Sequence, residues 1–253
     1  MRRSLLLVAF LSFSAISALS QTISPFSPEA RELLQSANLA RQQAGAGPLV
    51  WDAALAQAAM KHCRRMVAEG EIAHRYGGEL DLAARAGAAG AHFDLIEENI
   101  AVAPDAESVH QGWMHSPPHR LNLLNPKVDR VGIAILPSRG VLYAVADYAH
   151  GAESYSSIEA EGVVAGSLRQ RGVEVSPNHA DARRACAMDS GLPESLRSAP
   201  PAFVMRWQSS TLAELPAALA RKLTNHHLAS VGACPADTDQ SGFTMYRMAV
   251  LLY

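Results

Sequence analysis

Behind Ser27-Pro28-Glu29, apolar residues return at Leu33, Leu34, Ala37 and Ala40, the spacing of one helical face, until Gly45 and Gly47 interrupt it. The opening triplet suits a helix start: serine caps free amides, proline tolerates the first helical position, and glutamate faces the positive helix end. A second stripe, Leu55, Ala59, Cys63 and Met66, follows Trp51-Asp52 and stops at Gly70. The chain is then alanine- and glycine-rich from Ala83 to Ala91, and a third helix is predicted from about Asp105 to Met114. Pro117 and Pro118 forbid a regular helix running through His115 to His119. Val131–Leu136 and Val141–Tyr148 read as two strands around the turn Pro137-Ser138-Arg139-Gly140, which gives an order of helices first and hairpin last.

After a small, polar linker from Gly151 to Glu161, the pattern partly returns. Val231-Gly232-Ala233-Cys234 and Phe243–Tyr253 echo Val131-Gly132-Ile133-Ala134 and Val141–Tyr148, and Ala182–Met188 echoes Ala59–Met66. Residues 161–253 therefore read as a smaller module containing helices and strands, a degenerate repeat of 27–150. An ungapped comparison through the Val-Gly pairs sets Leu219 opposite His119, and no Glu-Asn pair occurs after Ala160. The second unit is expected to lack the chemistry of the first.

At the N-terminus, Arg2 and Arg3 precede an apolar run, Leu5 to Ile16, too short to span a bilayer, and Ala18-Leu19-Ser20 offers a cleavage site. Residues 1–20 are expected to be a signal peptide, and the mature protein secreted or periplasmic with no transmembrane anchor. Its loss takes two arginines from 22 basic residues, leaving 20 against 24 acidic ones, a net charge of −4. Together with the absence of a dense basic cluster, that excludes a nucleic-acid partner. Three cysteines far apart in sequence form no zinc motif. In the repeat comparison Cys186 falls opposite Cys63 and Cys234 opposite Ala134, so a Cys186–Cys234 disulfide and a buried Cys63 thiol are expected.

The candidate chemistry lies in Glu97-Glu98-Asn99-Ile100-Ala101, in Trp113 to Pro126, and upstream at His74. Neutral imidazoles and a carboxylate are the raw material of a zinc-type site or of acid/base catalysis. Ser116 with His119 is a weak nucleophile-and-base pair, because no Gly-x-Ser-x-Gly elbow is present. Cys63 lies on a buried helical stripe and reads as inert. Trp51, Trp113, Leu55, Met66 and Leu123 read as core, and Asn99 and Arg120 as residues that hold the fold.

Taken in order, Asn38-Leu39-Ala40-Arg41, Pro48 to Leu55, Ala59 with His62 and Met66, His74, Glu98-Asn99, Trp113 with Ser116, His119-Arg120, Asn122 to Pro126 and Val131-Gly132 resemble the CAP superfamily, also called the SCP domain: cysteine-rich secretory proteins, antigen 5 and pathogenesis-related protein 1. The resemblance implies an α+β fold, an α-β-α sandwich with a central antiparallel sheet, and a cleft of two histidines and two acids. His74, Glu98 and His119 match three of these positions and are the candidate metal ligands and candidate catalytic residues. Ser116 stands where eukaryotic members carry the second acid, as is common in the bacterial form. The resemblance implies an exported protein that acts by extracytoplasmic binding of a lipid, peptide or cell-wall component, its cleft able to hold zinc or another divalent metal. A metal-dependent, peptidase-like hydrolase and a structural envelope protein are the alternatives.

Overall fold

The structure, a computed structural model, describes residues 26–236 and 242–253. The proposed signal peptide and its cleavage site lie outside them. The first half contains α1 (Pro28–Gln43), β1 (Val50–Trp51), α2 (Ala53–Glu69), α3 (Leu82–Ala88), β2 (Phe93–Ala103), α4 (Ala106–His115), α5 (Pro117–Leu124), β3 (Arg130–Ser138) and β4 (Val141–Gly151). The helix signals act as read: Ser27 caps α1 through Ala30 N–H, Asp52 caps α2, and Gly70 closes α2 in the left-handed conformation at φ 76°.

Helices first and hairpin last does not hold, because β1 and β2 enter between the helices. The sheet runs β1-β3-β4-β2, with β1 parallel to β3 and the remaining pairs antiparallel. Helices α1, α4 and α5 pack on one face around Leu33, Trp113, Leu123 and Ile133, while α2 and α3 cover the other around Leu55, Met66, Ala86 and Val145. The predicted core residues are buried, Trp51 partly so. Gly132 sets the approach of α2, since a Cβ there would lie 2.0 Å from Ala56 N.

The second half contains α6 (Ser157–Arg169), β5 (Glu174–Val175), α7 (Ala180–Cys186), a 3₁₀ turn at Glu194–Leu196, β6 (Phe203–Ser209), α8 (Ala217–Ala220), a 3₁₀ turn at Leu223–Asn225, β7 (Leu228–Cys234) and β8 (Tyr246–Leu252). Its sheet runs β5-β7-β8-β6 with the same pairing senses, so element order and strand order both repeat those of the first half. Cys186 and Cys234 are bridged with Cα atoms 5.8 Å apart, while Cys63 is a buried thiol. Burial pushes that thiol up to about 12, which leaves it inert. No helix among the described residues is long and apolar enough to cross a membrane.

Candidate functional site

The site is built around one dipeptide of the edge strand β2. Consecutive strand residues point to opposite faces, so Glu98 faces the α2/α3 layer and Asn99 the α1/α4/α5 layer. Glu98 is 6% exposed and Asn99 is fully buried. Each anchors one of the two segments that carry the candidate histidines.

On the first side, Glu98 Oε1 lies 2.8 Å from His74 Nδ1, and Oε2 is paired with the Arg85 guanidinium. Arg85, buried on α3, also donates from Nη1 to the His74 carbonyl at 3.1 Å. His74 belongs to a loop that is held from beneath by His62, whose Nδ1 lies 2.8 Å from Glu79 Oε1 and whose Nε2 lies 3.0 Å from the Ala73 carbonyl. With the backbone and Nδ1 thus anchored, the His74 ring stays open to solvent, its side chain 60% exposed. The hydrogen bond to Glu98 raises the proton affinity of the ring, and burial opposes it more weakly.

On the second side, Asn99 Nδ2 donates to the His119 carbonyl at 2.8 Å, and Asn122 Nδ2 donates to both the Glu98 carbonyl and Asn99 Oδ1 at 3.1 Å. These bonds pin α5 to β2. The helix itself begins at Pro117-Pro118, where the missing N–H groups are needed for no intrahelical bond. The chain breaks at Ser116 (ψ 114°), so His115 and His119 share no helix, yet His119 is helical. His119 is half-buried, and its proton affinity is lowered by that burial and then by the charge of His74. His115 is exposed and bonds Gln111 O at 2.7 Å. Arg120 is exposed, and no fold-holding side-chain bond to another described residue is found for it.

Two site residues escaped the sequence reading. Arg85 sits in the alanine-rich stretch, where a lone cation in an otherwise small-residue segment was the available signal. Asp147 pairs with Glu98 across the β2/β4 ladder and is fully buried. No N–H or O–H of another described residue reaches either of its oxygens. Burial and then the Glu98 charge push its carboxyl well above the usual range. A second acid therefore lies across the ladder from Glu98 rather than at Ser116, and it is closed to solvent.

These contacts define what the cleft can do. Both Glu98 oxygens are engaged, one by His74 and one by a buried guanidinium. A carboxylate behind the Nδ1 of a histidine is the arrangement that orients the other ring nitrogen toward a ligand. Among the described residues no group of three or more His, Cys, Asp or Glu side chains has the geometry of a metal centre. Of the two candidate histidines, His74 is the one with a carboxylate, Glu98, behind its Nδ1. Beside Arg85, a groove of about 1100 Å³ runs along α2, lined by Ala58, Met60, Lys61, Arg64 and Leu80.

Comparison with known proteins follows the same residues. The segment 34–148 matches the sequence profile of the cysteine-rich secretory protein family, CAP. Uncharacterized protein YkwD of Bacillus subtilis (strain 168) is 29% identical over 115 residues, which is 44% of this chain and 44% of that protein. The chain thus matches less than half the length of that relative. Among solved structures, an extracellular protein containing an SCP domain from Bacillus anthracis is 23% identical with a TM-score of 0.45, over 50% of this chain and 45% of that one. An outer surface protein of Borrelia burgdorferi is 20% identical with a TM-score of 0.46, over 49% of this chain and 92% of that one.

Proposed function

Over residues 34–148 this chain is a member of the CAP family, of bacterial type, and from that premise we propose that it acts outside the cytoplasm by binding, through the cleft between His74 and His119. The carrying observation is that Glu98 is not free. Its two oxygens are held by His74 and Arg85, which makes it an orienting group rather than a base for turnover. This favours binding over the peptidase-like reading, and the buried Asp147 offers no accessible replacement. A disulfide persists in oxidising compartments, so the Cys186–Cys234 bridge supports export.

The two imidazoles would hold a divalent ion such as zinc, with Glu98 behind His74 and the remaining positions left to water or to the ligand. When bound, such an ion supplies a Lewis-acidic anchor for a carboxylate, phosphate or carbonyl oxygen of a lipid, peptide or cell-wall component.

Zinc titration calorimetry on the mature chain tests this reading. His74→Ala and His119→Ala should each weaken binding by more than about tenfold, Glu98→Gln by about 10–100-fold, and Ser116→Ala little. Because a ligating imidazole must be neutral and the His74 proton affinity is raised, affinity should keep rising with pH above the ordinary histidine value of about 6.5. The His74–Glu98 contribution to stability has the opposite sense: it is complete below that value and is lost as pH rises through the folded one. Absence of zinc binding by the wild type, or equal losses in the Ser116 and His119 variants, would remove the ion from the proposal.

A further inference from the structure

The second half reaches the first at main-chain level beside the cleft. Phe93 N–H donates to Thr244 Oγ1 at 3.1 Å, and Thr244 N–H donates back to Phe93 O at 2.9 Å. The Phe93 and Phe243 rings meet edge to face with centroids 5.2 Å apart. One residue earlier, Gly242 adopts φ 76°, and a Cβ there would lie 2.0 Å from Ala83 O. In return, a Cβ on Gly87 would lie 2.7 Å from Gly242 Cα. Helix α3 and the segment Gly242–Thr244 therefore touch where neither has room for a side chain.

Helix α3 has seven residues, too few to be stable without tertiary support. It carries Arg85, the side chain that grips Glu98 and the His74 carbonyl. The strand entering the contact is shaped for it as well. A bulge between Phe93 and Leu95 turns Phe93 onto the same face as Ile96, toward α3 and Phe243. A third tie, Ser210 Oγ to Asp94 Oδ2 at 3.2 Å, starts from the bulged residue.

We propose that the second half braces the cleft of the first: docking of Gly242–Thr244 fixes α3, and α3 delivers Arg85 to Glu98 and to the His74 loop. Gly242, Phe243 and Thr244 are positioning residues that act through Arg85. The proposal goes beyond the binding function, because it concerns the shape of the cleft whatever occupies it.

The test compares full-length mature wild type with Gly242→Val, Phe243→Ala and the conservative Phe243→Leu. Amide hydrogen exchange and the guanidinium NMR resonances of Arg85 are the readouts. In Gly242→Val and Phe243→Ala, exchange across residues 82–88 should accelerate by more than about tenfold and the Arg85 resonances should lose their restricted, bonded signature. The amides of β3, β4, β7 and β8 should keep their protection, and Phe243→Leu should restore the Arg85 signature. Phe243→Ala adds no atoms and carries the test alone if Gly242→Val does not fold. Unchanged α3 protection with an unchanged Arg85 signature would overturn the brace. So would a uniform loss of protection in Phe243→Ala, since the contact would then hold the whole fold rather than the cleft.

Discussion

Glu98 and Arg206 occupy matching places in two sheets of identical order. Gly132 and Gly232 align the halves: Gly132 pairs with Asp147, which pairs with Glu98, and Gly232 pairs with Ala249, which pairs with Arg206. Where the first half buries two carboxyls, the second has an alanine and a guanidinium that donates to the Ala185 and Gly191 carbonyls at 2.6 Å. The helices bordering the cleft shrink in parallel. Ten-residue α4 and eight-residue α5 correspond to four-residue α8 and a three-residue 3₁₀ turn, and Leu219 is buried in the core of the second half. The fold depends on strand order and one close helix-to-sheet contact, whereas the cleft requires long helices and buried charge. Buried charge is unfavourable unless it is paired: at these matched positions the half without a cleft has no carboxyl, and its own buried carboxylate, Glu161, lies elsewhere and is held by Arg183 and the Ala233 N–H.

The largest effect should come from the feature the halves share. A Cβ on Gly232 would lie 2.2 Å from Ala182 C, nearly as close as the corresponding approach at Gly132. Gly132→Ala and Gly232→Ala should each destabilise their own half by about 3 kcal/mol or more in urea denaturation. Tolerance of either would break the equivalence of the halves.

Next in size is the bridge that only the second half has. Cys186→Ser with Cys234→Ser should lower the stability of the second half by about 2–4 kcal/mol, seen as an earlier unfolding transition of β7 and β8 amides by hydrogen exchange. An equal loss in β3 and β4 would mean that the halves unfold as one unit.

The smallest effect sharpens the contrast in charge. Asp147→Asn should stabilise the first half by about 1–2 kcal/mol at pH 7, because it removes a carboxyl with no donor, while Ala249→Asp should destabilise the second. Since burial raises the Asp147 proton affinity, its wild-type contribution is most favourable below the unfolded value of about 3.9 and worsens as pH rises toward the folded one. The gain from asparagine should therefore shrink at pH 4, and a constant gain would show that Asp147 is ionised in the fold.

The long helices and the hairpin were legible because their signals are local. Ser27-Pro28, Asp52 and Gly70 act within one turn, and Val131 to Tyr148 surrounds a two-residue turn with positive φ at Arg139 and Gly140. The disulfide followed from repeat spacing. Strand β2 was not legible: its bulge resets the alternation, and Asp94, Glu97 and Glu98 interrupt the apolar pattern. Helix α5 was masked because prolines that break one helix can open another. His74, Glu98 and Asn99 stood out by residue type, but the roles of Arg85 and Asp147 depend on contacts across the sheet that no local pattern encodes.

The opposed directions of Glu98 and Asn99 have a mechanical consequence. One wall of the cleft hangs from a side chain and the other from its neighbour, so the separation of the walls is gauged by a single trans peptide unit, about 3.8 Å between Cα atoms. Neither wall can drift without breaking a bond to that rigid unit. Insertions in the loop before His74 or in the helix before His119 can lengthen the rims without changing the gap between them.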